Sequence, residues 1–229
     1  MKVAIMQPYF LPYIGYWQLI KAVDKYVIYD DVNYIKRGWI NRNNILMGGE
    51  KKLFTITLNG SSQNKLINEI EISDDFRKFM KTIQQHYIRA PYYGDILPLI
   101  EKIVSFETRC LSVFITNSIK SILSYLSVDT EILISSQLVK DCSLNGKDKI
   151  INICKNLGAD SYYNAIGGQE MYNKDECANH GIDLRFLKTK IVSYKQFKNE
   201  FVPSLSILDV LMFNSVGEIN IMLDSFELI

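Results

Sequence analysis

The sequence predicts an α/β fold: a mostly parallel sheet with helices on both faces, plus a helical insertion. Three observations carry this. Short apolar, partly β-branched runs alternate with amphipathic runs over most of the chain, the pattern of strands joined by crossover helices. The stretch 74–127 breaks that alternation and reads as helix throughout. The chain has 229 residues, enough to bury a full core without disulfides or metal. We therefore assign one α/β domain over 1–229, with 74–127 as an insertion or cap on one end of the sheet.

The elements follow in order. KVAIM (2–6) is a short buried strand, stopped by Gln7 and Pro8. After the loop QPYFLP, the segment 13–24 reads as a helix with Ile14, Trp17, Leu19, Ile20 and Val23 available for a buried face. KYVIYDDV (25–32) is a second strand, and KKLFTITLNG (51–60) a third, closed by Asn59-Gly60. NEIEIS (68–73) alternates as a short half-buried strand does. In the helical stretch, Ser73 is the expected N-cap of the first helix, with acids in its first turn. Pro91 breaks the run, and 92–105 and 107–127 supply two more helices. Alternation then returns: a strand at 130–136, a helix at 146–158 ending at Gly158, a strand at 159–166 running into Gly167-Gly168, a short helix ended by Gly181, and a strand at 182–188. The segments 205–214 and 218–226 read as terminal helices.

Composition excludes several classes. Lys plus Arg number 26 and Asp plus Glu 25, without the basic excess of a general nucleic-acid binder. No apolar run reaches the length of a membrane span, and the first residues lack the apolar core of a signal peptide. Cys110, Cys142, Cys154 and Cys177 form no CxxC pair or Cys/His cluster. Free thiols in a reducing compartment are the expectation, with no metal site and a cytoplasmic location.

Ligands of open parallel sheets bind beyond the carboxyl ends of the strands, at the point where strand order reverses. That rule selects the loop after KVAIM, the loop after KYVIYDD, and the loop AIGGQ (165–169). In the first, Gly15 stands at the start of a helix, where bare backbone and the helix N-terminus suit an anion. Tyr13-Ile14-Gly15-Tyr16 resembles the His-x-Gly-His signature of the nucleotidyltransferase and class I synthetase (HUP-like) superfamily, with both histidines replaced by tyrosine. In the second loop, Asp30 and Asp31 suit a metal, hydroxyl or amine; Lys36, Arg37 and Arg42 suit phosphate; Trp39 suits a base or sugar face; and Asn41 and Asn43 suit polar groups. The plain alternative is a solvated loop with Trp39 buried. In the third, the amides of Gly167 and Gly168 suit phosphate or carboxylate, or simply make a tight turn.

The segments MQPYFLPYIGYWQLIKAVDKYVIYDDVNYIKRGWINRN (6–43), HYIRAPYYGDILPLIE (86–101), ICKNLGADSYYNAIGGQEMY (153–172) and FVPSLSILDVLMFN (201–214) resemble the WbqC-like protein family, in its order and over nearly the whole chain. The resemblance implies a role in O-antigen or capsule polysaccharide biosynthesis, with a nucleotide-linked amino sugar as ligand.

The expected function is transfer of an acyl or aminoacyl group to the amine of that sugar, with ATP or another nucleotide as the open cofactor question. Asp31, beside Tyr29, is the expected base, and Asp30 the loop anchor. His86 is the further acid–base candidate, weighed against a structural hydrogen bonder. His180 reads as a helix cap and Asp209 as a satisfied acid on a helix face. Gln7, Tyr13, Gly15 and Tyr16 line the expected pocket, and Lys36, Arg37 and Arg42 hold the diphosphate. The alternatives are a glycosyltransferase, disfavoured because Asp30-Asp31 are adjacent and not D-x-D, and a non-catalytic nucleotide- or sugar-binding module, favoured by the tyrosines.

Overall fold

The computed structural model describes residues 1–198 and 200–229. In chain order the first half comprises β1 (Lys2–Met6), α1 (Ile14–Lys21), β2 (Lys25–Ile28), β3 (Arg42–Met47), β4 (Glu50–Thr55), β5 (Leu58–Asn59), β6 (Glu71–Ile72), α2 (Arg77–Tyr87), α3 (Tyr93–Val104) and α4 (Leu111–Leu126). The second half comprises β7 (Glu131–Ile134), α5 (Gly146–Asn156), β8 (Ser161–Ala165), α6 (Lys174–Ala178), β9 (Asp183–Thr189), α7 (Ile207–Phe213), α8 (Val216–Leu223) and β10 (Phe226–Leu228).

A six-stranded sheet runs in the order β10-β9-β8-β1-β2-β7. Every neighbouring pair is parallel except β10 with β9. The fold is thus mixed α/β on a mostly parallel sheet, as the alternation predicts. Side chains alternate across β1: Val3 and Ile5 pack with Ile150, Ile153 and Cys154 of α5, whereas Ala4 faces the larger core formed with α1, α4, α7 and α8. The helices α2, α3 and α4 contribute Ile83, Tyr87, Ile96, Ile100 and Phe114 to that larger core. No described helix is long and apolar enough to cross a membrane.

Three expectations about elements are corrected. The segment 51–60 does not join the main sheet. Its first part pairs as β4 with β3 in a separate antiparallel hairpin, turned by Gly48 and Gly49 at φ +62° and +83°. The expected terminal helix ends at Leu223, and the last residue expected in it, Phe226, instead opens β10 on the sheet edge. Ser73 is not the cap of α2: Asp74 accepts from Phe76 N and Asp75 from Arg77 N, so two carboxylates do that work across a left-handed Phe76.

The loop from Gln7 to Tyr13 is tied from distant parts of the chain. Leu11, fully buried with φ 45°, offers its carbonyl to Asn43 Nδ2 at 2.6 Å and to Ser206 Oγ at 2.7 Å. The Pro12 carbonyl accepts from Ile207 N and Trp17 Nε1. These bonds hold a branched residue in a region of backbone space that it rarely enters unaided.

Candidate functional site

Strand order reverses between β1 and β8, and a cleft of roughly 540 Å³ opens there, beyond the carboxyl ends of the strands. Its lining comes from the three segments that the sheet brings together. The loop after β1 and the start of α1 give Gln7, Tyr9, Tyr13, Gly15 and Tyr16. The segment after β2 gives Tyr29, Ile35, Gly38 and Trp39, and the segment from the end of β8 gives Asn164, Gly167, Gly168, Met171 and Tyr172.

None of the lining residues carries a charged side chain. The tyrosines do not alter that. Burial pushes the Tyr9, Tyr13 and Tyr29 hydroxyls above their ordinary range, with neighbouring Tyr13 adding to the effect at Tyr9 and Asp31 at Tyr29. They stay protonated at neutral pH. Trp39 is half exposed at 50 %, tilted toward the Tyr9 ring at a 6.4 Å centroid distance, with the Arg42 guanidinium 5.5 Å from the centroid of its indole. Ile35 and Met171 are exposed with it, so the rim is apolar as well.

The bareness of Gly15 serves its neighbours. A Cβ there would lie 2.5 Å from the Tyr13 ring and 2.6 Å from Thr189 Oγ1, so the space expected for an approaching phosphate is already filled. Tyr16, 5 % exposed, donates its hydroxyl to the Gln7 carbonyl at 3.0 Å and stacks edge-on with Tyr26. At Gly168 a Cβ would meet the Asn164 carboxamide at 2.6 Å, while Gly167 is open to solvent.

Several expected site residues lie elsewhere. Lys36 and Arg37 are exposed on the turn between Ile35 and Gly38 and do not line the cleft; Arg42 turns back to donate from Nε to the Gly38 carbonyl. Asn41 is 6 % exposed, accepts from Tyr34 Oη and donates to the Ile56 carbonyl, so its carboxamide is engaged within the fold. Asn43 is used up at Leu11. Asp30, 2 % exposed, accepts from both N and Oγ of Ser136, which anchors the loop to the turn after β7. His86 sits half-buried on α2 and does not line the cleft.

Asp31 has partners that the local sequence does not reveal. Lys140 and Lys149 each reach its Oδ2 at 3.0 Å, from side chains only 2 % and 12 % exposed. Burial by itself would raise this carboxyl, but the neighbouring Ser135 hydroxyl and the paired Lys149 and Lys140 ammoniums outweigh it and hold Asp31 below the usual carboxylate range. Lys149 also lies over the Tyr29 ring, 5.3 Å from its centroid. A carboxylate fixed this way is a poor proton acceptor; its geometry is that of a strut beneath Tyr29.

Asn164 is among the lining residues that sequence reasoning missed, with Tyr9, Ile35, Met171 and Tyr172. It closes a buried strand and looks like a strand end; the signal available was its place directly before the Gly-Gly loop.

The WbqC-like protein family model matches residues 7–221. A protein of Mycobacterium tuberculosis (strain ATCC 25618 / H37Rv), uncharacterized protein Rv1507c, is 30% identical over 226 residues, covering 95% of each chain. No solved structure matches this chain. The family match begins at Gln7, on the first cleft loop, and runs through Trp39, Asn164 and the Gly-Gly turn into α8, so the chain belongs to the WbqC-like protein family.

Proposed function

We propose that the protein binds a nucleotide-linked amino sugar at the switch-point cleft and transfers an acyl or aminoacyl group to its amine, in the assembly of bacterial surface polysaccharide. The observation that carries the reading is the cleft itself: an uncharged, aromatic recess at the reversal of strand order. Stacking on such walls favours a flat ring, and the segment that carries the rim residue Trp39 also carries cations: Arg42, on the Trp39 face, and Lys36 and Arg37 on the adjoining turn. Those three are the groups we assign to the diphosphate, which stays outside the uncharged recess.

In the transfer, the free amine attacks the acyl carbonyl carbon, a C–N bond forms, and collapse expels the donor's leaving group. The proton lost from nitrogen goes to that leaving group or to water. Tyr16 stands where the superfamily signature has a histidine and is already bonded to Gln7, which favours an acyl donor activated elsewhere over ATP cleavage in this cleft.

One observation favours a second reading, a binding module without catalysis: no lining side chain has a proton-transfer group suited to neutral pH. Mass spectrometry after incubation with amino-sugar nucleotides and thioester donors separates the two. A product heavier by the acyl group supports transfer. Thermal stabilisation by the sugar nucleotide without product supports the module, and neither signal rejects both.

A further inference from the structure

We infer that Asn164 sets base specificity in the cleft, donating from Nδ2 to the ring carbonyl that distinguishes uracil or thymine from cytosine. The inference rests on the sugar-nucleotide reading and deepens it. Asn164 is 4 % exposed and lines the cleft. Its carboxamide orientation is fixed by chemistry: Ala165 N donates to Oδ1 at 2.8 Å, and an N–H requires an oxygen there. The remaining atom, Nδ2, is therefore a donor only, and among the described residues no protein group accepts from it. Gly168 lets it sit there, since any Cβ would come within 2.6 Å of that nitrogen.

The other polar groups of the lining discriminate poorly. The hydroxyls of Tyr9, Tyr13, Tyr29 and Tyr172 rotate and serve as donor or acceptor, the Gln7 carboxamide is held in neither orientation by a described group, the Trp39 indole N–H sits on the half-exposed rim, and the Tyr16 hydroxyl is already spent on the Gln7 carbonyl. A polyhydroxylated sugar ring would leave several hydroxyls unmatched in so apolar a recess. A pyrimidine ring presents two flat faces to the aromatic walls and few polar atoms on its rim. The ring that fits is thus a base, with the sugar and phosphates toward the mouth. Opposite Nδ2, a carbonyl oxygen is matched, whereas the amino group of cytosine would set donor against donor.

The test is calorimetric titration of the full chain with UDP and CDP, which differ only along one edge of the base: UDP has a carbonyl on C4 and an N–H at N3, CDP an amino group on C4 and a bare N3. Wild type should bind UDP at least about tenfold more tightly than CDP. Asn164→Asp keeps an oxygen for Ala165 N and presents a second oxygen to the cleft, so the preference should vanish or invert. Gly168→Ala leaves Asn164 in place chemically but displaces its carboxamide, so the preference should shrink; unchanged thermal midpoints establish that these variants are folded. UDP and CDP binding alike to wild type, or a ratio unchanged in folded Asn164→Asp, overturns this inference alone. Binding of neither nucleotide overturns it together with the sugar-nucleotide reading.

Discussion

Asp209 offers the sharpest test of how the large core is held. The carboxylate, fully buried on α7, accepts from Tyr194 Oη at 2.7 Å and Gln196 Nε2 at 2.6 Å on Oδ1, and from Tyr87 Oη at 2.9 Å on Oδ2. Tyr87 in turn accepts from Leu46 N, so the network spans α2, β3, α7 and the segment after β9. Asp209→Ala strands three buried donors. At roughly 1 kcal/mol or more for each, partly relieved by removing a buried charge, the loss should be about 3 kcal/mol. Asp209→Asn keeps an acceptor for Tyr194 and Gln196 but turns a donor toward Tyr87, and should cost about 1 kcal/mol. Burial raises the Asp209 carboxyl above its ordinary range, against the pull of hydrogen bonds from Tyr194, Tyr87 and Gln196. A carboxyl raised by folding favours the fold below its unfolded value of about 4, and that contribution is lost as pH rises through the folded value. The advantage of wild type over Asp209→Asn should therefore be largest in acid and decline toward neutral pH. Urea unfolding followed by far-ultraviolet circular dichroism across pH measures all three quantities. Asp209→Ala within about 0.5 kcal/mol of wild type would refute the reasoning.

Gly15→Ala should destabilise by about 1–3 kcal/mol, because the new methyl overlaps the Tyr13 ring and Thr189 Oγ1 and one of them must shift; an unchanged melting midpoint argues against that packing. Asp31→Asn leaves Lys140 and Lys149 without their shared anion, so stability should drop at neutral pH. Because folding lowers the Asp31 carboxyl, its contribution is present above the unfolded value and lost as pH falls through the folded one; the variant and wild type should converge in acid, which pH-resolved denaturation checks. Trp39→Ala should leave stability within about 0.5 kcal/mol while weakening UDP by about 1–3 kcal/mol, the scale of one lost stacking platform; equal titration curves would remove Trp39 from the site. Arg37→Ala, on the exposed turn, should weaken UDP by less than Trp39→Ala, since solvent screens its charge, and the reverse order would make the phosphate contact rather than ring stacking the main source of affinity.

The parallel sheet and the position of the cleft were legible because strand–loop–helix order is written locally, and the switch-point rule converts that order into a place. The hairpin β3–β4 was harder. Arg42 and Asn43 look like ligand-reading residues, yet the alternating burial that begins there and the Gly48-Gly49 turn are those of a paired strand. The side-chain amides of Asn41 and Asn43 go to the backbone oxygens of Ile56 and Leu11, partners that the residue type alone does not announce. The true setting of Asp31 was invisible for a different reason: Lys149 stands 118 residues along the chain, and no local pattern links them.

The double tie at Leu11 also bears on the order of events during folding. Its carbonyl is satisfied by Asn43, 32 residues away, and by Ser206, 195 residues away. Closing so long a contour costs chain entropy that local contacts do not offset, so the first loop of the cleft should lock only after α7 has docked. The chain would then carry its binding loop from the start of synthesis but acquire a binding-competent cleft near the end, when Ser206 arrives. Pulsed hydrogen exchange during refolding should find the Ile207 amide, which bonds Pro12, protected later than the amides joining β1 to β2, a lag that sets how long a newly made molecule waits before it can take its ligand.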